Sequence, residues 1–425
     1  MLAFGVAVCA ILLLSGAPMF MAFAVGGLII ITLHSGFSLF NMGIFFFDFI
    51  TNYTLLAVPL FILAGQLLAE SGMGKALVDL VGSFVGRVPG GIAVVAIITS
   101  TFVGSLAAQN LAVLASVGVV LFPAMLEAGY DKGYSVGSLL SSSQLGFLIP
   151  PSVTFIVYGF LTETSVPKLF MAGIIPGGLL AVLLCVVAIV IAKRKGFVSM
   201  SITKTWKERK DLFIKTLPSI MMPIIVLGGI YSGIFTPTEA GAVACIYCLL
   251  VGAFVYRQLN LRNIWGSAVE ATRLTSMILI LFCGVMLLGR AFTVIGLPQW
   301  IGNWVVTVGL TPMTFLLMLC VGFVFLGMIM DAFAMIALLP VVIPAVKLIG
   351  IDPIHLGVLW VIASFIGAMT PPAASALYFA SAMFKVPTIV AIRGVLPFLA
   401  ITVIFMFILA FFPQLATWLP GTMFR

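Results

Sequence analysis

Two pairs of consecutive prolines interrupt runs that are otherwise apolar enough to be membrane helices: Pro150 and Pro151 in "QLGFLIPPSVTFIVYG" (residues 144–159), and Pro371 and Pro372 in "FIGAMTPPAASALYFA" (residues 365–380). Proline has no backbone N–H to donate and restricts the residue before it, so neither run is predicted to form one continuous helix. In hydrocarbon an unpaired N–H or C=O is costly, and a break survives only where protein, water or an ion satisfies it.

Hydrocarbon is the expected surrounding because 63% of the 425 residues are hydrophobic and only 8% are charged, far beyond the apolar share of a soluble domain. At about 20 residues per crossing the chain has room for roughly 10 to 12 helical spans plus shorter re-entrant pieces. The short alternating segments of a β-barrel are missing. A net charge of +8 does not point to nucleic acid, since eight of the twenty basic residues lie in one stretch, Lys193 to Lys215. A short basic loop between apolar spans belongs in the cytoplasm by the positive-inside rule. The N-terminal run lacks the charged start of a signal peptide and is too long for one, so it is expected to be a retained first span.

The basic stretch divides the chain near its midpoint, giving three expected parts: a first repeat over 1–192, a linker over 193–215 and a second repeat over 216–425. The offset of 221 that brings Pro150 onto Pro371 also brings Pro123 onto Pro344, Gly129 onto Gly350, Asp131 onto Asp352, Ser143 onto Ser364 and Gly146 onto Gly367. Past the prolines, Gly173 falls on Gly394 and Pro176 on Pro397. Such a set of Gly, Pro and Asp matches marks internal structural repeats. Residues 90–126 form a low-charge run too long for one upright span, which fits two half-length helices meeting at a tip near "AAQN". The corresponding run of the second half, residues 311–346, carries Asp331 near its middle. The fold class expected is therefore an all-α polytopic membrane protein of two inverted repeats, each with a re-entrant hairpin and a broken helix. Paired interruptions of this kind point to a transporter's binding site, where freed carbonyls coordinate sodium and half-helix N-termini attract an anion.

Few side chains can carry chemistry there. Asp331 sits deep in "FLGMIMDAFAMIALLP", where burying a carboxylate costs at least about 2.5 to 3.5 kcal/mol, which favours a functional role over capping of a broken helix. Gln109 and Asn110 occupy the expected tip, and their amides suit either a tip capped against the protein or a solute contact. Ser141, Ser142 and Ser143 fit bonds to local carbonyls, whereas Thr370 has hydroxyl and carbonyl both at the second break. Arg290 reads as a snorkelling cation or an attractor of carboxylate, and Glu239 as a helix N-cap partner. The six cysteines, including "CIYC" at 245–248, lie in apolar runs and read as packing residues; His34 and His355 are too far apart for a metal site.

The stretches "GIFTPTEAGAVACIY", "FPAMLEAGYD", "LGFLIPPS", "LFMAGIIPG" and "TPPAASALYF" together resemble the large membrane subunit of TRAP transporters, the tripartite ATP-independent periplasmic systems, over nearly the whole chain. The resemblance implies an elevator-type secondary transporter of the bacterial inner membrane, driven by sodium. It also implies a small membrane subunit of about four helices and a periplasmic substrate-binding protein that delivers the solute, mostly an organic acid such as a sialic acid or a C4-dicarboxylate. Carried over to this chain, one sodium site uses the tip from Ala107 through Gln109 to Asn110 with the break at Gly146, Ile149 and Pro150. A second uses Gly327 and Asp331 with Gly367, Thr370 and Pro371. Gln109, Asn110, Ser152 and Ala373 are the expected solute contacts. Where the family usually shows a Ser-Gly-Ser-Ser run at the first tip, this chain has "AAQN", which leaves backbone carbonyls to bind sodium there. Lipid surrounds the chain in this reading, and neither nucleic acid nor a transition metal takes part.

Two other classes stay open on sequence grounds. One is a stand-alone elevator-type anion transporter that needs no binding protein. The other is an intramembrane enzyme, which requires a nucleophile and base or paired aspartates at membrane depth, where only Asp331 stands; no catalytic residue is assigned.

Overall fold

In the computed structural model, residues 2–35, 39–85, 88–107, 110–197, 205–330 and 332–423 are described. Gln109 and Asp331 lie outside the described residues. Within them every regular element is a helix. Six helices are long and apolar enough to cross a membrane; the other apolar helices have 10–17 residues. The sequence estimate of roughly 10 to 12 spans plus shorter re-entrant pieces compares with these six long helices and the shorter apolar ones among the described residues. The N-terminal run also differs from the single span expected. It is two helices, Leu2–Leu14 and Met19–Ser35, reversed at Gly16 (φ 81°) and Pro18 and packed so closely that a methyl on Gly26 would lie 2.8 Å from Cys9 Cβ.

Those two helices join Ala57–Glu70, Trp206–Tyr231, Pro237–Leu250 and Leu261–Val294 in a scaffold. Its parts are tied by polar contacts: Thr238 Oγ1 donates to Tyr53 O at 2.9 Å and Cys245 Sγ to Leu60 O at 3.1 Å. Glu239 closes a capping box with Thr236 at the start of Pro237–Leu250, and the cysteines among the described residues are free thiols.

The hairpins, the broken helices and two long spans form a second body from corresponding pieces of the two halves. The first hairpin is Gly91–Ala107 and Asn110–Glu127; its partner is Pro312–Gly327 followed by the short pieces Ala332–Met335 and Leu339–Leu348. The first broken helix is Lys132–Ser143 and Val153–Thr162; the second is Pro353–Met369 and Ser375–Met383. Each half closes with a long span, Val166–Lys195 or Thr388–Phe411. Sequence identity across the offset becomes similar local structure. Gly129 and Gly350 both have φ 79°, and two residues later Asp131 and Asp352 both cap the next helix.

The halves are inverted. Lys195, at the basic-linker end of its span, pairs with Asp131, and Tyr134 Oη donates to Ala188 O at 2.9 Å, so the first broken helix enters from the linker side. Pro353 starts the second broken helix at the opposite face, where Tyr158 Oη donates to Pro353 O at 2.7 Å. Two amphipathic helices, Met73–Val85 and Leu297–Val308, connect scaffold to hairpins. Each lies between glycines with positive φ, Gly72 and Gly90 for the first, Gly296 and Gly309 for the second, a backbone turn that side chains with a Cβ resist.

Candidate functional site

The first break begins where Lys132–Ser143 tightens into a 3-10 turn over Gln144–Phe147. Ser142 and Ser143 turn their hydroxyls back to Leu139 O and Leu140 O, both at 2.8 Å, as expected of serines in apolar helices. Ile149 N bonds to Leu145 O at 3.0 Å, the proline pair follows through a cis bond, and the chain resumes as a helix at Val153. Ser152 is 1% exposed; its hydroxyl donates to Phe147 O at 2.6 Å, bridging the break. Gly146 has no room for a side chain because Gly104 of the first hairpin lies against it.

Ala107 closes one arm of that hairpin and Asn110 opens the other. Asn110 Nδ2 donates to Gln144 Oε1 at 3.1 Å, which ties the tip to the break. Gln144 is 1% exposed, and its Nε2 has no hydrogen-bond partner among the described residues.

The second break repeats the plan with different atoms. Pro353–Met369 ends at Thr370, whose N–H donates to Gly367 O at 2.9 Å and whose hydroxyl donates to Ile366 O at 2.5 Å. After the second cis proline pair, at Pro371 and Pro372, Ala373 N donates to Met328 O at 2.9 Å. Gly327 and Gly367 meet as Gly104 and Gly146 do, a methyl on Gly327 falling 3.1 Å from Gly367 Cα. Hairpin and broken helix are thus joined in both halves by a glycine pair and hydrogen bonding, the first half adding a bond from Ser142 Oγ to Ser100 Oγ at 3.1 Å.

Between the two hairpins lies a cavity of about 180 Å³. Asn110 and Gln144 reach it from the first half, Ser364 and Ser375 from the second, with Phe147 and Phe333 as walls. The two rings meet edge to face at 6.3 Å, and Phe282 of the scaffold packs on Phe333 at 6.1 Å. No charged side chain lines the cavity among the described residues. Of the residues singled out from sequence, Asn110 lines it; Gly146, Gly327 and Gly367 form the contacts beneath it; Ser152, Thr370 and Ala373 hold the breaks together. Gly104, Gln144 and Phe333 were not singled out. Gln144 carried a usable signal, as an amide two residues before the glycine of an apolar break, whereas nothing local marks Gly104 among neighbouring small residues.

A larger crevice of about 1030 Å³ separates scaffold from hairpin body at the face away from the basic linker, with Tyr53, Thr236 and Arg290 on the scaffold side and Thr164, Ser165 and Pro340 facing them.

Residues 6–415 match the family described as "Tripartite ATP-independent periplasmic transporter, DctM component". The chain is 36% identical to the C4-dicarboxylate TRAP transporter large permease protein DctM of Pseudomonas aeruginosa, over 93% of this chain and 92% of that one. It is 34% identical to the sialic acid TRAP transporter large permease protein SiaM of Vibrio cholerae, over 87% of each. Its fold is similar to the crystal structure of the Alcanivorax borkumensis YdaH transporter, described as having an unusual topology, with a TM-score of 0.62, 17% identity, and coverage of 87% of this chain and 86% of that one. With its long apolar helices, this makes it a multi-pass inner-membrane transport protein rather than an enzyme. The chain belongs to the family of TRAP transporter large permeases, the DctM component of the tripartite ATP-independent periplasmic transporters.

Proposed function

We propose that this chain is the carrier of a sodium-coupled uptake system for an organic acid, working with a periplasmic binding protein and a small membrane subunit. The observation that carries this reading is the cavity at which both hairpins and both breaks meet. A carboxylate held there finds no lysine or arginine among the described lining residues, so a co-bound cation is the simplest source of compensating charge. Backbone carbonyls at residues 107–110 with 146–150, and at 327–331 with 367–371, are the proposed sodium ligands, as oxygen donors suit a hard cation. Coupling requires that sodium and solute each favour the closed hairpins, so that each tightens the other.

In the proposed elevator motion, the hairpin body carries this cavity across the membrane against the scaffold, and the amphipathic connectors Met73–Val85 and Leu297–Val308 absorb the displacement. The crevice at the face away from the basic linker supports movement along that boundary. The acids named for the relatives, C4-dicarboxylate and sialic acid, support an organic acid as the solute class.

Reconstitution into proteoliposomes with both partners tests the reading. Labelled acid is expected to accumulate only with an inward sodium gradient and only when presented by the binding protein. Full-rate uptake of free acid, indifferent to the binding protein, rejects the tripartite assignment; uptake indifferent to sodium rejects the coupling.

A further inference from the structure

The bond from Asn110 Nδ2 to Gln144 Oε1 engages one end of the Gln144 amide. Left over is Nε2, an amide donor on a side chain 1% exposed, on the wall of the 180 Å³ cavity, without a hydrogen-bond partner among the described residues. A buried donor with nothing to donate to is destabilising, and a ligand acceptor relieves that. Across the cavity, Ser364 donates its hydroxyl to Val361 O at 2.7 Å, Ser375 adds a second hydroxyl, and the rest of the wall is apolar, with Ala332, Ala368, Phe147 and Phe333 among it. One end of the space offers a hydrogen-bond donor and the other suits a short apolar or carbonyl-bearing tail. The volume is below the roughly 300–1,000 Å³ of drug-sized sites.

We propose that Gln144 is the specificity-determining residue of this carrier, its Nε2 donating to a carboxylate oxygen while Asn110 positions the amide, and that the solute is a small acid with a single carboxylate. This rests on the organic-acid reading above and narrows it. A second carboxylate would meet no charged side chain among the described lining residues, only the Ser375 hydroxyl opposite Gln144, and burying a charge without an ionic partner is strongly disfavoured.

The test is ligand-induced thermal stabilisation of the purified full-length protein in detergent with sodium. The probes are 4-oxopentanoate and succinate, which match in size and differ in one end group. Wild type is expected to bind 4-oxopentanoate at least about tenfold more tightly than succinate, and Gln144→Met to lose roughly 10 to 100-fold for 4-oxopentanoate, the effect of one hydrogen bond to a charged group. Gln144→Glu keeps the size but replaces the donor by an anion, and is expected to lose the acid while still being stabilised by sodium alone. That sodium response also shows that the variant is folded. Unchanged acid affinity in a Gln144 variant that still responds to sodium overturns the proposal and leaves the organic-acid reading standing. Equal or tighter succinate binding in wild type overturns the single-carboxylate assignment. Absence of any response to 4-oxopentanoate in sodium-responsive wild type overturns the assignment of Gln144 as the solute's hydrogen-bond donor, while the organic-acid reading is decided separately by uptake in proteoliposomes with both partners.

Discussion

Gly104 lies so close to Gly146 that a methyl group on Gly104 would sit 2.5 Å from Gly146 Cα. This contact seats the first hairpin on the first break, and Gly327 with Gly367 does the same in the second half. Substituting Gly104→Ala brings a helix-propensity gain of about 0.5–1 kcal/mol against overpacking of about 1–3 kcal/mol, and the neighbour here is backbone that cannot rotate away. Gly104→Ala and Gly146→Ala are each expected to lower the melting temperature and reduce uptake, as measured by thermal unfolding and proteoliposome flux. A variant as stable and active as wild type removes this contact from the account.

Tyr158 donates to Pro353 O across the two halves at 2.7 Å, from a fully buried position. Tyr158→Phe loses a net hydrogen bond worth about 0.5–1.5 kcal/mol. A lower unfolding midpoint with the sodium dependence of uptake preserved is the expected result, read by paired thermal and flux measurements.

Ser152 was expected to touch solute, yet its hydroxyl donates to Phe147 O inside the break. Ser152→Ala is accordingly expected to weaken sodium and acid binding together by loosening the break, since both depend on its shape. A selective loss of acid affinity alone, measured by separate titrations of sodium and acid, points back to direct solute contact.

Asp331 and Thr370 belong to the second proposed sodium site. Thr370→Ala removes the hydroxyl bonded to Ile366 O, and Asp331→Ala removes the deep carboxylate of the sequence. Each is expected to raise the sodium concentration for half-maximal uptake by roughly tenfold, the weight of one strong polar contact. Unaltered sodium dependence in both variants takes these residues out of the site.

The repeats and both breaks were legible because proline and glycine act locally. The consecutive prolines at 150–151 and 371–372 interrupt their helices, whereas the single prolines Pro123, Pro176, Pro344 and Pro397 lie inside helices, and one arm of the first hairpin ends at Ala107 while the other begins at Asn110. What stayed hidden depends on pairs distant in sequence. Gly104 is special only because Gly146 crosses it, and Gln144 because Asn110 engages one end of its amide. The split of the N-terminal run at Gly16 and Pro18 was missed for another reason: its apolar content continues through the turn, and hydropathy alone does not register a reversal.

The most direct measurement is a density map of the protein with sodium and a transported acid bound. The expected result is acid between Gln144 and Ser375, with sodium against the breaks at 146–150 and 367–371. Acid found only in the crevice beside Arg290, with the cavity between the hairpins unfilled, contradicts the assignment of the broken elements as the transport site.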